Sequence, residues 1–117
     1  MEPTYTSFGK FYQRVSQIWI PGNTYSSLIE KKTYEMQSAS PSTLTFKYEG
    51  GSAQDINLKK LYAMYKEIYE KKSVDRYHFH SPAASVHIPH IPGAAMVALL
   101  PVIDSKIRFA NGMLQVR

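Results

Sequence analysis

An α+β fold is predicted for this chain by three observations. Two stretches repeat their apolar residues with the period of a helix, the region between them has the composition and period of short strands, and an Asn-Gly dipeptide near the C-terminus is flanked by β-formers. The expected order is an N-terminal helix, a three-stranded antiparallel meander, a central amphipathic helix, a short apolar helix and a C-terminal basic β-hairpin, wing-like in its position after a helix. With 117 residues, the chain has the size of one domain, 1–117, able to bury a single core.

Phe8, Phe11, Tyr12, Val15, Ile18 and Trp19 fall on one stripe of a helix. Thr6 or Ser7 can cap its first free N–H groups, and Ile20-Pro21-Gly22 ends it because a residue before proline avoids the α region. Thr24 to Ile29, Thr33 to Gln37 and Leu44 to Tyr48 then read as strands, separated by Glu30-Lys31-Lys32, by Ser38 to Ser42 and by Glu49-Gly50-Gly51. In the third strand Leu44, Phe46 and Tyr48 alternate with Thr43, Thr45 and Lys47, so one face is apolar and the other open to solvent.

Leu58, Leu61, Tyr62, Tyr65, Ile68 and Tyr69 make the second stripe, with Asp55 or Asn57 as cap and Lys71-Lys72 beside the partial negative charge of the helix end. The three tyrosines are expected in the core with their hydroxyls at its edge, in preference to a base-stacking platform. Ala94 to Leu100 is apolar almost all round, and its alanines and leucines favour a buried helix bounded by Gly93 and Pro101. Asn111-Gly112 suits a type I′ turn, which sets the register of the last hairpin. Phe109 then pairs with Leu114 and Ile107 with Val116 on the inner face, while Arg108 pairs with Gln115 and Lys106 with Arg117 on the outer one.

Composition narrows the function classes. The chain is 44% hydrophobic and 20% charged, as in ordinary globular proteins, and no apolar run reaches the ~20 residues that span a bilayer. The N-terminus lacks the basic and apolar regions of an export signal, so a cytoplasmic protein is expected. The absence of cysteine excludes disulfides, thiolate metal ligands and cysteine nucleophiles. No glycine-rich phosphate loop and no nucleophile-elbow serine is present. Glu35 and Lys47 on adjacent strands resemble the carboxylate and lysine of metal-dependent nucleases, but the second acid is missing. A non-catalytic role is therefore expected.

The formal net charge of +5 lies wholly in the second half. Residues 1–57 balance five basic against five acidic side chains, whereas Lys59, Lys60, Lys66, Lys71, Lys72, Arg76, Lys106, Arg108 and Arg117 face only Glu67, Glu70, Asp75 and Asp104. Such asymmetry favours an anionic partner, nucleic acid above all and DNA in particular, against the plainer reading of a solvated face. Gln115, Asn111 and Arg108 stand on the ribbon where they could reach base edges.

All four histidines, His78, His80, His87 and His90, occupy one short segment. A metal site, a pH-sensitive patch and a polar loop are all compatible with that clustering. If Tyr77 to His80 is extended, His78 and His80 share a face, and His87 or His90 could complete a zinc or other divalent-metal site; Asp75, Glu67 or Glu70 join it only if the fold brings them near. Ile88, Pro89, Ile91 and Pro92 would form a rigid apolar patch on an exposed loop, which suits a module or inhibitor docking on a larger protein partner.

Ile20-Pro-Gly-Asn-Thr-Tyr25, Tyr34-Glu-Met36, Leu44-Thr-Phe46, Ile56 to Leu61 and Ala94 to Leu100 together resemble small modules found near restriction–modification and other mobile-element genes. The resemblance implies a prokaryotic or phage setting and a regulatory or accessory part in DNA targeting. It assigns no functional residue. The expectation is thus a small DNA-binding or accessory protein without a cofactor, with a protein-docking module and a histidine metal site as alternatives.

Overall fold

Ser7 opens the first helix, α1 (Phe8–Ile18), and its side chain accepts the Lys10 N–H at 3.4 Å. Phe11 and Val15 are buried, Tyr12 and Ile18 half-buried, and Phe8 stays at the rim. The computed structural model describes residues 5–28, 32–48, 50–80, 88 and 90–116, and for His80, His90, Ile91 and Pro92 it describes the backbone.

The meander has four strands, β1 (Thr24–Ser26), β2 (Thr33–Ala39), β3 (Thr43–Tyr48) and β4 (Ala53–Asn57), paired antiparallel in chain order. This corrects the expected three-stranded count. β4 carries one deeply buried apolar residue, Ile56, so it lacks a readable period; the free edge of β3 recruits it, and Thr45 donates to the Asp55 carboxylate at 2.8 Å. The expected strand from Thr24 is shorter than predicted, and residues 29–31 lie outside the described residues. Between Met36 and Ala39 the β2–β3 register slips by one residue, a bulge that turns the Ser38 carbonyl out of the ladder. The Trp19 indole N–H donates to that carbonyl at 3.1 Å, which fastens the end of α1 to the sheet.

Asn57 caps α2 (Leu58–Lys71), accepting the Lys60 N–H at 3.0 Å. Its predicted stripe is buried apart from the half-exposed Tyr62, so the tyrosines pack as expected. Lys72 then turns left-handed, with φ of 66°, and sends the chain straight into β5 (Ser73–Asp75). A 3₁₀ turn (His78–His80) follows, then α3 (His90–Ile103), β6 (Ile107–Ala110) and β7 (Met113–Val116).

α3 is twice the length of the predicted apolar run, and Gly93 and Pro101 do not bound it. Pro92 falls in the first turn, where N–H groups have no intrahelical partner, and Pro101 falls in the last, where only one ladder bond is forfeited. Burial of Ala95, Met96, Leu99, Leu100 and Ile103 against α1, both sheets and the 3₁₀ turn outweighs that loss. Tyr25 donates its hydroxyl to the Ala95 carbonyl at 3.1 Å across this packing. No helix among the described residues is long and apolar enough to cross a membrane.

Candidate nucleic-acid interface

The terminal hairpin has the predicted register, with Ile107 opposite Val116, Arg108 opposite Gln115, Phe109 opposite Leu114 and Ala110 opposite Met113. Asn111 and Gly112 take φ of 53° and 76°, the left-handed conformation a type I′ turn requires. The hairpin is not a free wing, however. β5 pairs with β7, giving a three-stranded sheet in the order β5-β7-β6 with Ser73 opposite Gln115 and Val74 opposite Leu114. Three residues are too short a strand to show a period; the turn at Lys72 and the edge offered by β7 decide it.

This sheet gathers cations from separate parts of the sequence. Lys71 and Lys72 precede β5 and Lys106 precedes β6, and the Val116 N–H donates to the Lys72 carbonyl at 3.0 Å, so all three stand at one end of the sheet. Arg108 lies one residue inside that end on the outer face, with half-buried Gln115 and then Ser73 beside it across the strands. At the opposite end the Arg76 N–H donates to the Gly112 carbonyl at the hairpin tip, and the Arg76 guanidinium lies 4.2 Å from the ring centre of Tyr77, itself 51% exposed. Glu70 in the last turn of α2 and Asp75 on β5 are acids of the same segment, and the Asp75 carboxylate accepts the Tyr77 N–H at 2.8 Å.

Lys59, Lys60 and Lys66 are not part of this group. Lys59 and Lys60 occupy the first turn of α2, about 18 Å along the helix axis from Lys71. Lys66 turns its ammonium towards the rings of Tyr5 and Tyr62, at 5.4 and 5.8 Å, on the side where α1 begins. Arg117 lies outside the described residues.

Beneath the basic end sits Asp104, 4% exposed, just past α3. One carboxylate oxygen accepts the hydroxyls of Tyr65 and Tyr69 at 2.9 and 2.6 Å, and the other accepts the Lys106 N–H at 2.9 Å. The Asp104 carbonyl also accepts the Ile107 N–H at 3.0 Å, so this residue sets where β6, and with it Lys106 and Arg108, begins. Burial works against its charge, but the bonds from Tyr69, the Lys106 backbone and Tyr65, with the charge of Arg14, outweigh it and hold the carboxyl below the usual range. In return, burial and the Asp104 carboxylate push the Tyr69 hydroxyl well up. In the sequence Asp104 is legible only as a charge, although the i, i+4 tyrosines at 65 and 69 signal two hydroxyls needing an acceptor.

The histidine segment departs from its expected geometry. His78 to His80 form a 3₁₀ turn, so the backbone here is not the extended strand expected from the sequence. The His78 Nε2 pairs with a carboxylate oxygen of Glu67, which is 5% exposed on α2, so Glu67 is the acid that the fold brings to the segment. Phe79 and Ile88 are in the core, and the Ile88 N–H donates to the Phe79 carbonyl at 3.0 Å. Ile88 therefore leaves the exposed apolar patch expected of a docking loop. Residues 81–87 with His87, and Pro89, lie outside the described residues, and among the described residues no three His, Asp or Glu side chains form a group able to hold a metal. Glu35 and Lys47 face each other across β2 and β3, both exposed, as an ordinary cross-strand pair.

Compared with protein-family models, curated proteins and solved structures, the chain finds no significant match in any of the three.

Proposed function

We propose that this chain is a small non-catalytic DNA-binding or accessory protein that holds phosphates with Lys71, Lys72, Arg76 and Lys106, with Arg108 on the sheet face between them. One observation carries the reading: cations from three places in the sequence, Lys71-Lys72, Arg76 and Lys106 with Arg108, surround one small sheet. A surface of that sign releases condensed counterions from a polyanion, which gives salt-dependent affinity. The regulatory place in a prokaryotic or phage DNA-targeting system implied by the sequence resemblance belongs to the same proposal.

Duplex-DNA affinity measured at 50 and 200 mM salt tests it. The Lys71→Ala, Arg76→Ala, Lys106→Ala variant is expected to bind more weakly and to lose about three from the slope of log affinity against log salt, roughly one per phosphate contact. The Lys59→Ala, Lys60→Ala variant, altered at the far end of α2, should keep most of the affinity. No binding at the lower salt, or a triple variant equal to wild type, removes the reading.

A second reading, a zinc or other divalent-metal site, has the buried Glu67 carboxylate beside His78 in its favour. Untagged protein should then carry about one equivalent of metal, lost in the His78→Ala, His80→Ala variant. Metal-free protein whose melting temperature is unmoved by added zinc dismisses it.

A further inference from the structure

We infer that the outer face of the β5-β7-β6 sheet enters the major groove of duplex DNA and that Arg108 and Gln115 read base edges there. This rests on the DNA-binding reading and adds sequence specificity to it. In each of two rows the side chains point away from the core: Arg108, Gln115 and Ser73 across β6, β7 and β5, then Ala110, Met113 and Asp75. Their inward neighbours Ile107, Leu114 and Val74 are buried, so a partner can meet the outer rows without disturbing the packing.

Dimensions favour the groove. Strands lie about 4.8 Å apart, so the two-stranded ribbon of β6 and β7, which carries Arg108 and Gln115, has the width that a major groove of about 12 Å admits and a minor groove of about 6 Å does not, with β5 at the groove edge. Side chains stand perpendicular to a sheet, so its outer face would present them to the floor of the groove. Strands of three and four residues are only about 10 to 13 Å long. The cations flanking that short face, Lys71, Lys72 and Lys106 at one end and Arg76 at the other, are within reach of phosphates beside the same few base pairs.

Chemistry assigns the reading row. A guanidinium can donate two bonds to O6 and N7 of guanine, and a carboxamide can exchange two with N6 and N7 of adenine. Arg108 and Gln115 are direct cross-strand partners, about 5 Å apart at the backbone, comparable to the 3.4 Å rise between base pairs. They are therefore spaced to meet neighbouring pairs. The second row is poorer: Ala110 is short, Met113 apolar, and the Asp75 carboxylate already accepts the Tyr77 N–H.

Selection from a randomised duplex pool, followed by affinity measurements on the enriched and a scrambled duplex, tests this. Wild type should enrich a short motif containing adjacent guanine and adenine. Arg108→Lys keeps the charge but not the bidentate fork, and Gln115→Ala removes the amide; each should lose about 5- to 100-fold discrimination at one motif position. Both should retain salt-dependent affinity for the scrambled duplex and the wild-type melting temperature. Salt-dependent binding without an enriched motif, a preference for single strands, or unchanged discrimination in both variants overturns the inference and leaves DNA binding standing. Failure to bind any duplex at low salt overturns both.

Discussion

Asp104→Ala will lower the unfolding free energy by about 3 kcal/mol, and for a chain of this length the melting temperature by roughly 12 °C. Three donors lose their acceptor together: the Tyr65 and Tyr69 hydroxyls and the Lys106 N–H. Both tyrosines are buried, so water cannot simply replace the carboxylate. Thr6 adds to the loss, because its N–H donates to the Tyr65 hydroxyl at 3.2 Å and the entry to α1 is tied to the same network. Chemical denaturation measures the change. Since Asp104 also sets the start of β6, the variant should weaken the proposed DNA binding beyond what its stability alone explains.

The same carboxylate makes stability depend on acid. Its folded pKa lies below the ordinary 3.8, so its contribution is complete above about pH 4 and fades as pH falls further through the folded value. Asp104→Asn should flatten that acid limb while costing less than alanine, because the amide oxygen still accepts. At the alkaline side the sign reverses. Burial raises the Tyr25 and Tyr69 hydroxyls above 10, so the unfolded chain releases protons that the folded one retains, and stability falls as pH rises beyond about 10.

Glu67→Ala carries the second large effect, about 2 to 3 kcal/mol, because it leaves His78 without the buried carboxylate that its Nε2 engages. The loss should be partly local. Hydrogen exchange at the Ile88 amide, which bonds the Phe79 carbonyl, is expected to quicken more than exchange along α2. A double-mutant cycle with His78→Ala isolates the pair: additive single losses would show that the two side chains do not act together.

Helices and the terminal hairpin were legible in the sequence because their causes are local. The stripes of α1 and α2 lie within a few turns, Ser7 and Asn57 cap them through neighbouring N–H groups, and Asn111-Gly112 settles a register within a few residues. The second half's excess of Lys and Arg was equally visible as composition. β4 and β5 were not, because each is too short to carry a period and exists through the edge of a strand that another segment supplies. Likewise the ends of α3 follow burial against both sheets, which overrides the breaker tendency of Pro92, Gly93 and Pro101.

The candidate sites divide in the same way. By itself the sequence determined which residues carry charge, the alternation of the hairpin and the clustering of the histidines. Only the tertiary structure decided that Lys71 and Lys72 stand beside Lys106 and Arg108 while Lys59, Lys60 and Lys66 stand apart, that Glu67 pairs with His78, and that Asp104 is buried beneath two tyrosines. These pairings join residues on different secondary-structure elements, at separations from 11 residues for Glu67 and His78 to 39 for Tyr65 and Asp104, so no local propensity encodes them; they follow from how the sheets and helices share one core.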